Sequence, residues 1–139
     1  MNTILSLSNI RNYFISLGVF LVIDMVWLAF IAKSLYSKYL GYLMAPKVNF
    51  LAAFLFYMLF IIGLLVFVIN PALVKESWQS ALLMGMFFGL ITYATYDLTN
   101  LATVKDWPVM ITIIDLVWGS VVSGATALIS YLILRLFRS

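Results

Sequence analysis

The sequence contains no cysteine and no histidine, and only 9% of its residues are charged. The two missing residue types exclude disulfides, thiol nucleophiles, Cys/His zinc sites and Ser–His pairs. Any chemistry must therefore use Asp, Tyr, Trp, Asn, Thr, Ser or Lys side chains. The formal charge of +3 is spread along the chain without a basic run, so we expect no nucleic-acid partner.

Apolar side chains are what the sequence has in abundance, at 65% of all residues. This fraction is well above that of a soluble domain and predicts a chain solvated by the lipid bilayer. Stretches long enough to cross a ~30 Å hydrocarbon core cover residues 12–32, 50–69, 81–104 and 108–134. Because the connections are short, we predict an all-α, integral membrane four-helix bundle with antiparallel neighbours, forming a single membrane domain over residues 1–139.

The first apolar stretch is longer than the core of a signal peptide and lacks an A-x-A cleavage site, so we expect an uncleaved helix. The loop after it carries Tyr36, Tyr39 and Tyr42 at intervals of three residues. This spacing predicts a short interfacial helix at headgroup depth. An aromatic belt without further role is a simpler interpretation of these tyrosines than a binding surface.

Basic residues do not indicate the orientation of the predicted bundle. Each side of the predicted bundle carries four basic residues. One side has Arg11, Lys75, Arg135 and Arg138, and the other side has Lys33, Lys38, Lys47 and Lys105. The positive-inside rule therefore has no asymmetry to act on. An even number of spans places both termini on one side.

Three of the spans carry one acid each, and the acids are Asp24, Asp97 and Asp115. Each lies eight or nine residues from the charged residue that bounds its span at the side of the first loop. At ~1.5 Å per residue, all three are ~12–14 Å below that face and close to the bilayer midplane. A carboxylate facing lipid is costly, so we expect them to face the bundle interior, with at least one protonated at neutral pH.

Other polar and aromatic residues follow the same helical faces. Gly85 and Gly89 form a GxxxG motif, which predicts close approach of another helix. The Asp-x-x-Trp pattern of the first span recurs in the fourth, which runs in the opposite direction, as in an inverted pair. The second span offers Tyr57 and is predicted to be mostly scaffold. The predicted ligand-binding residues are Asp24, Trp27, Tyr93, Tyr96, Asp97, Asn100, Asp115 and Trp118.

These residues leave four interpretations open. The first is binding or transport of a small molecule or lipid, with proton coupling through the acids and assembly as a homodimer. The second is a membrane-embedded lipid-modifying enzyme using two of Asp24, Asp97 and Asp115 as an acid–base pair. The third is an oxygen-ligand site for Mg²⁺ or Ca²⁺. The fourth is helix packing alone, in which Asp, Asn and Tyr only hydrogen-bond the helices together. The residues indicate no cofactor.

A family resemblance is carried by the run from Thr92 to Thr103, whose centre reads Tyr-Asp-Leu-Thr-Asn, and by Trp107-Pro108. The segments from Asp115 to Gly119 and from Asp24 to Leu28 fit the same pattern. The chain thereby resembles, over essentially its whole length, a bacterial membrane protein family called domain of unknown function 2177. The resemblance implies four spans and no established activity, and it favours a role connected with lipid. We expect a multi-pass protein of the bacterial inner membrane.

Overall fold

Helices make up nearly all of the computed structural model, which describes residues 7–42 and 49–137. In these residues four helical stretches are long and apolar enough to cross a membrane: Leu7–Ile31, Phe50–Lys75, Trp78–Thr103 and Val109–Phe137. We call them spans 1 to 4. The described chain has no strand, and the predicted all-α membrane bundle is confirmed. Lys47 and Arg138, which enter the charge balance above, lie outside the described residues.

Span 1 continues as a helix beyond its predicted end. Helix α1 (Leu7–Trp27) leads into a π-helical turn (Leu28–Ala32) and then directly into α2 (Lys33–Leu40). Helix α2 is the short helix predicted from the tyrosine spacing. The buried residues of α1 recur every four positions, which gives this helix one inward face: Asn12, Ser16, Phe20 and Asp24.

Span 2 also extends further than predicted, because Pro71 does not end it. Helix α3 (Phe50–Leu64) passes through a π-helical turn (Leu65–Ile69) into α4 (Asn70–Lys75). Pro71 occupies the first turn of α4, where a missing backbone N–H costs little. The helix ends instead at Glu76, whose left-handed backbone (φ 53°) turns the chain.

Spans 3 and 4 form a tight hairpin. Helix α5 (Trp78–Thr103) is capped by Ser77, whose side chain accepts a hydrogen bond from the Ser80 backbone N–H at 3.1 Å. Helix α6 (Val109–Leu134) continues in a 3₁₀ turn (Arg135–Phe137). The short connection between the two helices turns at Asp106, which has a φ of 62°.

The α5–α6 interface is the most extensive in the bundle, and glycines allow it to be close. A Cβ atom added at Gly85 would lie 2.8 Å from the Ala127 Cβ and 2.9 Å from the Ser123 carbonyl oxygen. A Cβ added at Gly89 would overlap the Gly119 carbonyl oxygen. The predicted close approach through GxxxG is therefore confirmed.

The apolar core occupies the half of the bundle where α1 begins and α6 ends, which we call the termini face. Its fully buried side chains come from all four spans and include Phe20, Ile61, Leu64, Val68, Ile69, Ala81, Val122 and Leu134. The opposite end, which carries α2 and the α5–α6 turn, is the loop-one face. Asp97 and Asp115 lie in this second half, whereas the buried polar residues of the termini half are uncharged: Asn12, Ser16, Thr126 and Ser130.

Candidate functional site

Asp97 and Asp115 lie together at the loop-one end of the α5–α6 interface. Asp97 is fully buried and Asp115 is 6% exposed. Neither carboxylate oxygen of Asp97 makes a hydrogen bond of regular geometry within the described part of the chain, and the neighbouring acid with which it interacts is Asp115. Two acids on adjacent antiparallel helices are thus brought to one level, as the span boundaries predicted.

Tyr36 completes this acid pair from α2. Its hydroxyl donates a hydrogen bond to Asp115 Oδ1. Burial, and secondly this contact with Asp115, raises the pKa of the Tyr36 phenol above its ordinary range. Tyr36 therefore stays protonated and acts as a donor to the carboxyl group.

The π-helical turn in span 1 explains how Tyr36 reaches the acids. Tyr36 follows Asp24 by twelve residues, and at ~100° per residue an unbroken α-helix would place it about 120° away from the face of Asp24. Five residues in a π-helical turn, with about 4.4 residues per turn, reduce the rotation by about 90°. This rotation brings Tyr36 back to roughly the same side of span 1 as Asp24, so that Tyr36 contacts Asp115 on α6 while Asp24 contacts Tyr57 on α3.

The acid pair lines a cavity of about 520 Å³ between α2, α3, α5 and α6. Its walls are mainly aromatic and apolar, and its lining residues are Tyr36, Leu40, Phe56, Thr92, Tyr93, Tyr96, Asp97 and Asp115. Carboxyl groups supply negative charge or hydrogen-bond acceptors, and ring faces attract cations. The chemistry therefore suits a ligand with an apolar body and a cationic or donor-bearing group.

Asp24 is held apart from this cavity by partners of its own. The Tyr57 hydroxyl donates to Asp24 Oδ2 at 3.0 Å, and the Trp118 indole is a second polar neighbour of the same carboxyl. Tyr93 lies within electrostatic reach of Asp24, Asp97 and Asp115. Of the three acids, only Asp97 and Asp115 line the cavity.

The two tryptophans of the Asp-x-x-Trp pattern pack against each other. Their rings are stacked, with centroids 4.3 Å apart and planes 10° from parallel. Trp27 and Trp118 border an apolar groove on the outside of α6, together with Val117. They therefore pack span 1 against span 4 and do not line the acid cavity.

Tyr96 and Asn100 occupy the outer edge of the site on α5. Tyr96 lines the cavity while remaining 58% exposed, and its ring meets Trp107 edge to face at 5.6 Å. Asn100 follows one turn later and interacts with the Tyr96 hydroxyl. Asn100 thus supports a lining residue and is not part of the cavity wall.

Sequence reasoning missed several residues of the site. Tyr36 was interpreted as part of an aromatic belt, and Phe56 and Thr92 were not singled out. Tyr57 is the polar residue of a span that the sequence predicts to be mostly scaffold, and no partner was predicted for it; the structure makes it a hydrogen-bond donor to Asp24. A buried carboxyl group requires a donor, but the tyrosines that supply it are 79 and 33 residues away in the sequence, so the sequence does not pair them with their acids.

The carboxyl groups do not form a metal-binding cluster. Within residues 7–42 and 49–137, no group of three Asp, Glu, His or Cys side chains is close enough to hold a metal ion. Asp24 is directed to Tyr57 and not to the other two acids. The oxygen-ligand hypothesis for Mg²⁺ or Ca²⁺ gains no support from this geometry.

Comparison with known proteins yields one match. The model of a family described as predicted membrane protein, DUF2177, matches residues 9–132. No curated protein and no solved structure shows significant similarity. The matched range includes both acids of the cavity, Tyr36 and the Tyr-Asp-Leu-Thr-Asn block on which the resemblance was based. The chain belongs to the DUF2177 family of membrane proteins.

Proposed function

We propose that the cavity binds a small amphipathic cation and releases it in exchange for protons, in the bacterial inner membrane. The observation that carries this proposal is the buried Asp97–Asp115 pair at the side of an aromatic-lined cavity. An acid within a membrane span is costly, and such residues usually have a function. Two adjacent acids are harder to explain as helix packing, since Asn or Ser would serve that purpose at a lower insertion cost.

The cavity walls determine which ligands fit. Tyr36, Tyr93 and Tyr96 offer ring faces, and a cation over such a face is stabilised by about 0.5–2 kcal/mol. Asp97 lines the cavity, and its two carboxylate oxygens make no hydrogen bond of regular geometry to described residues beyond the interaction with Asp115. An organic ammonium group with an apolar substituent satisfies both features, whereas an anion would be repelled by the acid pair.

Proton exchange follows from the same pair. A cation bound between two carboxyl groups requires at least one of them to be ionised, and protonation of both removes the attraction. Tyr36 donates to Asp115 and so favours its ionised form. Binding should therefore weaken as the pH falls, and a proton gradient could drive release on one side.

Transport would also need access from the termini face, where the core of a single chain is closed by Phe20, Ile61 and Leu64, all fully buried. Two copies of the chain could supply alternating access between them. A homodimer is therefore part of the proposed transport function. Binding alone does not require it.

The proposal is tested with phenyltrimethylammonium and its uncharged isostere tert-butylbenzene. Isothermal titration of the protein in nanodiscs should show cation binding at pH 8 that is lost at pH 5 and lost in the Asp97→Asn/Asp115→Asn double variant. Binding of tert-butylbenzene should not depend on pH. In proteoliposomes, a pH gradient should drive cation uptake by the wild type only. Cation binding that the double variant retains would refute the proposal.

A lipid-modifying enzyme is a second candidate, favoured by the apolar cavity walls beside the acid pair. In this case Asp97 and Asp115 would serve as acid and base, with Asp24 as a further candidate for the pair. Lipid extracts of cells with the gene, without it and with Asp97→Asn distinguish the two functions. A lipid species that needs both the gene and Asp97 would support the enzyme, and identical extracts would exclude it.

A further inference from the structure

A second site lies on the termini face, at the opposite end of the bundle from the acid cavity. A polar pocket of about 440 Å³ opens between the ends of spans 1, 2 and 4, and its lining includes Ser8, Arg11, Asn12, Asn70 and Phe137. No acidic residue lines it. The pocket therefore presents one fixed cation among neutral hydrogen-bonding side chains, a combination that suits an anion.

Arg11 is held in place within this pocket. Its guanidinium lies 4.8 Å from the centroid of the Phe137 ring and donates to Asn12 Oδ1 from two nitrogens, at 3.3 and 3.2 Å. Asn12 is itself buried, so this arrangement is anchored in the bundle. A guanidinium whose position is already fixed loses little conformational entropy when it binds an anion.

An apolar groove continues from the polar pocket along the outside of the bundle. It measures about 340 Å³, is lined by side chains such as Ile10, Phe14, Ile62 and Val66, and shares Asn70 with the pocket. On span 2 its lining reaches from Met58 to Asn70, twelve residues, or ~18 Å along a helix. One leaflet of the hydrocarbon core measures ~15 Å, so the groove matches the depth of one acyl chain.

We propose that pocket and groove together bind one anionic phospholipid, with its phosphate at Arg11 and an acyl chain in the groove. Charge complementarity supports this ligand, because the described residues of the termini face include Arg11, Lys75 and Arg135 against one acid, Glu76. The adjoining groove favours a phospholipid over free phosphate, since a phosphate ion would occupy only the polar part. This site is independent of the acid cavity and of its proposed function.

Native mass spectrometry of the full chain tests the proposal. The protein is released from nanodiscs containing equal amounts of phosphatidylglycerol and phosphatidylethanolamine, and the lipid retained in one copy is identified. The wild type should retain phosphatidylglycerol, and 10 mM inorganic phosphate should not displace it. Arg11→Gln should reduce this preference roughly tenfold or more, as expected for a lost charged hydrogen bond.

Arg135→Gln is the matched control, because it removes one exposed cation from the same face outside the pocket. It should reduce the preference by no more than about fivefold, the contribution of a surface cation near anionic lipid. Val66→Trp, which fills the groove without changing charge, should lower retention of both lipids. Equal effects of the two arginine variants, equal retention of the two lipids by the wild type, or unchanged retention in Val66→Trp would overturn the proposal.

Discussion

Removing the hydroxyl of Tyr36 tests the role of α2 in the acid site. This hydroxyl donates to Asp115, and a hydrogen bond to a charged group contributes about 1.5–3 kcal/mol. Tyr36→Phe removes a donor that favours the ionised carboxylate. Since ~1.4 kcal/mol corresponds to one pH unit, the midpoint of the pH dependence of cation binding should move up by about 1–2 units.

The assay is titration of phenyltrimethylammonium binding between pH 5 and pH 9 for wild type and variant. Tyr42→Phe is the control, because Tyr42 is 60% exposed and donates to the Asp106 carbonyl oxygen at 2.6 Å, outside the cavity. Its midpoint should equal that of the wild type. A midpoint that does not move in Tyr36→Phe would refute the inference that Tyr36 acts on Asp115 in the membrane-embedded protein.

Three further predictions concern packing and buried polar groups. Gly89→Ala places a Cβ against the backbone of α6 and should lower the free energy of unfolding, measured by SDS titration, by about 1–3 kcal/mol. Gly18→Ala is the control, because no atom lies within 4 Å of the added Cβ, and it should not destabilise the protein. Tyr57→Phe removes the hydroxyl that donates to Asp24 Oδ2 at 3.0 Å, and it should lower the free energy of unfolding by about 1–3 kcal/mol in the same titration. No loss of stability would show that Asp24 finds another partner. Because the pKa of Tyr36 is raised, phenolate absorbance up to pH 11 should be the same in wild type and Tyr36→Phe, and a smaller signal in the variant would contradict the described burial.

The fold was largely predictable because membrane insertion depends on length and hydrophobicity, which are read directly from sequence. The α5–α6 contact was also predictable, because Gly85 and Gly89 share a helical face and remove the side chains that would separate two backbones. The predicted end of span 2 at residue 69 was wrong. The preceding π-helical turn and the position of Pro71 in the first turn of α4 let the helix continue to Lys75.

The site was predictable only in part. Asp97 and Asp115 could be placed at one depth because their helices share a short turn. The contribution of Tyr36 depends on the rotation introduced at Leu28–Ala32, and no residue in that apolar segment marks a π-helical turn. The isolation of Asp24 depends on Tyr57 from span 2, a tertiary contact that the periodicity of either helix does not contain.

The most direct test of the shared acid site is solid-state NMR of the protein in bilayers, with ¹³C-labelled aspartate carboxyl groups assigned by single Asp→Asn variants. Addition of phenyltrimethylammonium should shift the carboxyl resonances of Asp97 and Asp115 together, leave exposed Asp106 unchanged, and give a cross-peak between the two shifted carbons. Resonances that titrate separately, or that do not respond to the cation, would contradict a common binding site.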